Sequence, residues 1–179
     1  MRRINTILSA VILLIFLIHG VMGSFMLLGV GTNAGKMLAW LGFGLILIHA
    51  ALGAALTVQA VRGGKESGRW YLRQNKEFWA RRFSGVAILI LLFFHFGVYG
   101  ETVDGTFGLI EFTTIKLVTQ LLLIASLFVH IFVNIRPLLV SWGILKHHER
   151  RWDLFLIASV FLLFFTGAVL FYYIGWQFL

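Results

Sequence analysis

Four histidines stand alone in otherwise apolar stretches of this chain: His19, His49, His95 and His130. His95 is the clearest case. It lies in WARRFSGVAILILLFFHFGVYG, residues 79–100, which opens on two arginines and then runs apolar for about a bilayer's depth. An imidazole at such a depth is costly without a partner, which makes it a functional candidate. Neutral imidazole ligates haem iron, zinc and copper through a ring nitrogen. It also serves simply as a hydrogen-bonding group between helices, and any one of the four could be explained that way. Four in succession, one on each of four apolar segments, calls for a common cause. Zinc and copper sites usually recruit a carboxylate or a sulfur, and no acidic residue falls within an expected span. Two metal centres of the b-haem kind, each clamped by a pair of histidines on facing helices, fit the donor set better.

The elements that must position these residues are membrane spans. The chain has 179 residues, is 60% hydrophobic and carries one proline, with a mean hydropathy of +0.93. That composition belongs to a polytopic membrane protein. It reads as a single domain, 1–179, because no loop is long enough to fold separately. The absence of cysteine excludes disulfides, thiol–disulfide exchange, iron–sulfur ligation and thioether-linked haem. The formal charge of +8 invites a nucleic-acid reading. The basic residues cluster beside apolar segments, however, so no nucleic-acid partner is expected and the charge is a topology signal.

Five spans are expected, at 4–30, 36–61, 83–99, 112–145 and 154–179. The first resembles a signal peptide only superficially, since its apolar run is too long and no small-residue cleavage site ends it. Short turns are expected at 29–35, around Asn33, and at ETVDGTFG, with a long polar loop at 62–82. Pro137 should bend or end the buried part of span four. All lysines and arginines except Lys36 and Lys116 fall on one side, which predicts a cytoplasmic N-terminus and an outer C-terminus. Trp40, Tyr99, Trp142, Trp152 and Trp176 fall near the expected interfaces, as an aromatic belt would. The acidic residues expected outside are Glu101, Asp104 and Glu111.

At about 1.5 Å per residue from the outer ends of these spans, His19 and His95 lie nearer the outside, and His49 and His130 nearer the cytoplasm. Measured from the inner ends, the separation narrows. Gly23 and Gly53, each four residues after a histidine, and Gly42, two turns before His49, are expected to leave room for a flat ring or for close helix packing. His147 and His148 sit in a charged loop and read as solvated.

Five spans with histidines on the first four resemble the dihaem cytochrome b membrane subunit of succinate:quinone and quinol:fumarate reductases. RRINTIL…IFLIHG is similar to the entry and first histidine of that subunit. Arg82-Phe83-Ser84-Gly85 is similar to an arginine–apolar–serine/threonine–glycine signature found near quinone sites and haem propionates. The resemblance covers about residues 2–175. It implies an all-α fold with a four-helix haem-binding bundle and a fifth helix, in the cell's inner membrane. By position, His19 and His95 would ligate an outer haem b and His49 and His130 an inner one. Arg82, Ser84 and Arg136, with Arg81 and Asn134 nearby, would serve propionates or quinone at the inner side, and Glu101 would serve quinol outside. The implied cofactors are two haem b and menaquinone or ubiquinone. The implied partners are cytoplasmic iron–sulfur and flavoprotein subunits, docked on the basic 62–82 loop, together with membrane lipid; a homodimer of the complex is compatible with this. The chain would then be the electron-transfer subunit of a quinone-linked oxidoreductase. It departs from the family in its shortness, its brief outer turns and its lack of clear matches to the acidic residues some members use. Two other classes remain: a dihaem cytochrome b for a hydrogenase, formate dehydrogenase or extracellular reductase, and a non-haem carrier or assembly protein using its histidines for protons or packing.

Overall fold

The computed structural model describes residues 1–30, 35–66, 76–104, 106–146 and 151–178. Asn33, Arg69, Arg73, His147, His148 and Arg150, which entered the topology and loop readings above, lie outside the described residues. Five helices form: α1 (Arg2–Leu27), α2 (Lys36–Glu66), α3 (Lys76–Phe93), α4 (Thr114–Ser141) and α5 (Arg151–Phe178). Four of them, α1, α2, α4 and α5, are long and apolar enough to cross a membrane. Their outward faces carry large exposed apolar side chains such as Leu14, Leu47, Leu122 and Leu163, the surface that a lipid solvent covers.

The third helix departs from expectation. It starts earlier, with Lys76, Glu77, Arg81 and Arg82 in its first two turns, and ends earlier, at Phe93. Those four charges set it apart from the apolar helices long enough to cross a membrane. Its end is set by Gly97 at φ +66°, a left-handed conformation that glycine adopts without cost. The chain tightens before that glycine: the amides of Phe94 and His95 donate three residues back, to Leu91 and Leu92. His95 therefore lies in a terminal turn rather than inside a span. The expected 62–82 loop is shorter too, because α2 runs on to Glu66.

ETVDGTFG is not a plain turn. It folds as an antiparallel hairpin, β1 (Gly100–Val103) against β2 (Thr106–Leu109), with Glu101 opposite Gly108. Asp104 takes φ +50° at its tip, and Asp-Gly is the favoured sequence for a tight hairpin connection. Pro137 neither ends nor interrupts α4, which continues to Ser141. Proline cannot donate to the carbonyl four residues back, and Val133, that residue, instead accepts from Arg81 Nε at 3.2 Å. The carbonyl freed on α4 thus becomes a tether to α3.

The helices neighbour one another in the order α2–α1–α5–α4–α3. The α1–α2 pair and the α3–α4 pair pack on each other only sparsely, and α5 joins them. The best-packed core is at the hairpin end: Leu27, Val98, Phe112, Val169 and Tyr172. Tyr172 donates to the carbonyls of Tyr99 and Ile110, at 3.1 and 2.8 Å, pinning the hairpin's base to α5. Tyr99 stacks on the fully buried Phe112 and so packs inward, whereas Trp40, Trp142, Trp152 and Trp176 are exposed as an interfacial belt requires.

Candidate functional site: two facing histidine pairs

The four helix-associated histidines meet two by two. His19 of α1 faces His95, with ring centroids 6.1 Å apart and planes at 76°. His49 of α2 faces His130 of α4, at 6.3 Å and 90°. An imidazole nitrogen binds a transition metal at about 2.0–2.1 Å, and the ring centre lies about 1.1 Å behind it, so two rings gripping one ion from opposite sides stand about 6 Å apart. Both pairs have that spacing.

The protonation of the rings follows from their neighbours. Ser84 donates its hydroxyl hydrogen to the Ala80 carbonyl at 2.6 Å. It can then only accept from His130 Nδ1, at 3.0 Å. Ser9 donates to the Asn5 carbonyl at 2.7 Å and so accepts from His49 Nδ1, at 3.5 Å. Gln120 Nε2 donates to the Phe94 carbonyl at 3.0 Å and to Thr119 Oγ1 at 3.3 Å. Its Oε1 is thereby turned to His95 Nδ1, at 2.8 Å. In all three cases the partner has no hydrogen to offer, so the imidazole carries its proton on Nδ1 and leaves the Nε2 lone pair free. Metal-binding histidines are held in this way. The Nδ1 of His19 lies 3.8 Å from where a Cβ on Gly35 would stand.

These contacts also fix how far apart the pairs lie. On α1, Ser9 serves one pair and His19 belongs to the other; on α4, His130 belongs to the first and Gln120 serves the second. Each couple is ten residues apart in the chain, about 15 Å along a helix at 1.5 Å per residue. Ser84 and His95, on α3 and its terminal turn, are eleven apart and agree. Three elements thus each give a ligand to one pair and a hydrogen-bond acceptor to the other.

The chain matches no known family model, curated protein or solved structure. What the pairs can do must be read from their surroundings. Among the described residues, no three His, Cys, Asp or Glu side chains are grouped to hold a metal ion. Each pair offers two imidazoles, the number of axial ligands a bis-histidine haem would take. At the His49–His130 pair, a Cβ on Gly85 would stand 3.4 Å from the His130 ring. Arg82 is near enough for its charge to act on both rings. It lies over the Phe78 ring at 4.7 Å, yet its Nε is buried with no hydrogen-bond partner among the described residues. A half-buried guanidinium with an unused Nε–H suits an anion such as a propionate.

The other sequence candidates are placed differently. Arg81 is occupied by Val133 and by Glu77, at 3.2 Å each. Asn134 spends its amide on the His130 carbonyl, at 2.7 Å, so it is not the free donor expected. Arg136 opens with Arg81, Glu77 and Ser141 onto a cavity of about 470 Å³ between α3, α4 and α5. Glu101 is exposed on β1, beside a groove of about 240 Å³ lined by Val103, Gly108 and Leu109. Among the described residues, no hydrogen bond joins Glu101, Asp104 or Glu111 to His19 or His95. Gly23 and Gly53 face open space and not a ring; helical spacing alone did not distinguish them from Gly85, whose Cβ would meet the His130 ring. Gln120 and Ser9 went unnoticed in the sequence. The available signal was a polar residue ten positions from a histidine on the same apolar helix.

Proposed function

We propose that the chain is a membrane-embedded cytochrome b. It would bind two b-type haems through His19 with His95 and His49 with His130, and pass electrons between membrane quinone and a peripheral flavin or iron–sulfur partner of the succinate dehydrogenase or fumarate reductase type. The observation that carries this reading is the pair of facing imidazole couples, 6.1 and 6.3 Å between ring centres, with Nδ1–H ties that leave Nε2 free at three of the four rings. When bound, the haem irons supply one-electron redox chemistry. The chain's own residues do the rest. Ser9, Ser84 and Gln120 hold the tautomer. Gly85 gives the His130 ring room against α3. Arg82 remains positive to meet a propionate. The apolar helices exclude water from both centres.

In this reading the positive-inside bias puts the arginine end, with Arg81, Arg82 and Arg136, in the cytoplasm, and the hairpin end outside. The centres, about 15 Å apart along the helices, divide a hydrocarbon core about 30 Å thick into steps. Glu101 on the exposed hairpin is the carboxylate proposed to take protons from quinol, with Arg82 and Ser84 as the competing inner quinone site. The deciding experiment is the visible spectrum of the purified protein from haem-replete cells. A pyridine haemochrome of b type at about two per chain, one for each histidine pair between facing helices, is expected. A reproducibly colourless protein would exclude the reading.

A further inference from the structure

The Gln120 side chain is the most deeply buried polar group of the described residues, 1% exposed in the second turn of α4. All of its hydrogen-bonding groups are used, and two of the three partners belong to the end of α3. Phe94 is where that helix gives out: the amide of Val98, which would reach the Phe94 carbonyl in a continuing helix, turns to His95 instead. That carbonyl is left without a backbone partner, and Gln120 Nε2 takes it. The neighbouring His95, outside the regular helix, has its ring fixed by the same amide's Oε1 at 2.8 Å. Among the described residues no other imidazole is held so closely; His130 has 3.0 Å to Ser84 and His49 has 3.5 Å to Ser9.

We propose that Gln120 is the positioning residue of the His19–His95 centre: its one amide caps the broken end of α3 and holds the Nδ1–H of His95, fixing the ring's direction and its electron-donating strength. The inference rests on the haem reading above. A stronger acceptor at Nδ1 makes a ligating imidazole more basic, which favours the oxidised metal. Removing the acceptor therefore raises the potential of this centre and leaves the His49–His130 centre, ten residues along α4, unmoved.

The experiment is a spectroelectrochemical titration of the purified full chain, wild type against Gln120→Met and Gln120→Glu. The component that His19→Ala abolishes marks the centre in question. Gln120→Met keeps the volume and loses all three hydrogen bonds, including those to Phe94 and His95. A rise of about tenfold in the reduced-to-oxidised ratio at fixed potential, about 59 mV for a one-electron couple, is expected in that component alone. Gln120→Glu restores an acceptor, so its potential should return to the wild-type value or fall below it. No shift in Gln120→Met, an equal shift in both components, or a Gln120→Glu variant that follows Gln120→Met overturns the proposal. If Gln120→Met fails to assemble, Gln120→Glu decides alone: a potential above wild type overturns the proposal, and one at or below it with both components present supports it. A wild-type protein lacking two b-type components refutes the haem reading itself, which the first trace of the titration reveals before any variant is compared.

Discussion

The two histidine pairs have nearly the same ring spacing and are built in different ways. At the hairpin end, His95 lies beyond its helix, and its position depends on a side chain from another helix, on Gly97 and on the aromatic cluster of Tyr99, Phe112 and Tyr172. At the arginine end, His49 and His130 both sit in regular helix, and their acceptors are serines bonded to carbonyls four residues back in their own helices. Both pairs take their acceptors from neighbouring helices, but only His95 itself stands outside regular helix. Charge divides them as well. Arg82 acts on the second pair, while the carboxylates nearest in sequence to the first pair remain on the exposed hairpin and its flank. A helix can therefore present a ligand in two ways. A histidine in regular helix needs only a short acceptor in register on the next helix, here Ser9 or Ser84. An irregular terminus needs a buried partner dedicated to it, here Gln120.

The contrast can be broken first at Gly85. A Cβ there would stand 3.4 Å from His130, an ordinary contact, so Gly85→Ala should keep both centres. Gly85→Leu should displace the His130 ring and remove the arginine-end component, leaving the hairpin-end component in the difference spectrum. Loss of both components equally would mean that the centres are not independent. The next effect in size is that of charge. Arg82→Met removes a cation that disfavours the oxidised centre, so the arginine-end potential should fall, on the order of tenfold in the redox ratio or about 59 mV, with the hairpin-end potential unchanged. A redox titration at low and moderate ionic strength checks this, and an equal fall at both centres would contradict the placement of Arg82. The smallest effect separates the two serines. Ser84→Ala should raise the arginine-end potential more than Ser9→Ala does, because a 3.0 Å hydrogen bond is a stronger interaction than one at 3.5 Å. The reverse order would show that the Ser84 hydroxyl is not the acceptor that matters.

The regular part of this architecture could be read from the sequence, and the irregular part could not. Apolar runs of bilayer length announce α1, α2, α4 and α5 whatever surrounds them. Depth along the expected spans, counted from their outer ends, grouped His19 with His95 and His49 with His130, because helical rise converts sequence position into distance, although the separation narrowed when counted from the inner ends. The end of α3 was misread, since an apolar run continues through Phe93, Phe94 and Phe96 and hides the break that Gly97 makes. The hairpin was taken for a plain turn although Asp104-Gly105 is a hairpin dipeptide; its strands are only four residues each, too short to show alternation. Pro137 was expected to bend or end the buried part of α4, which continues to Ser141; a neighbouring arginine takes up the carbonyl that proline leaves, and no local pattern reports a neighbour. Gln120 was passed over for the same reason. Its importance lies in what the fold brings to it from α3.

The reading stands or falls on which histidines share a centre. The direct measurement is the reduced-minus-oxidised spectrum of four single variants at matched protein content. His19→Ala and His95→Ala should each abolish one and the same b-type component, and His49→Ala and His130→Ala should each abolish the other. If His19→Ala and His49→Ala removed the same component while the second persisted, the facing pairs seen here would not be the ligand pairs.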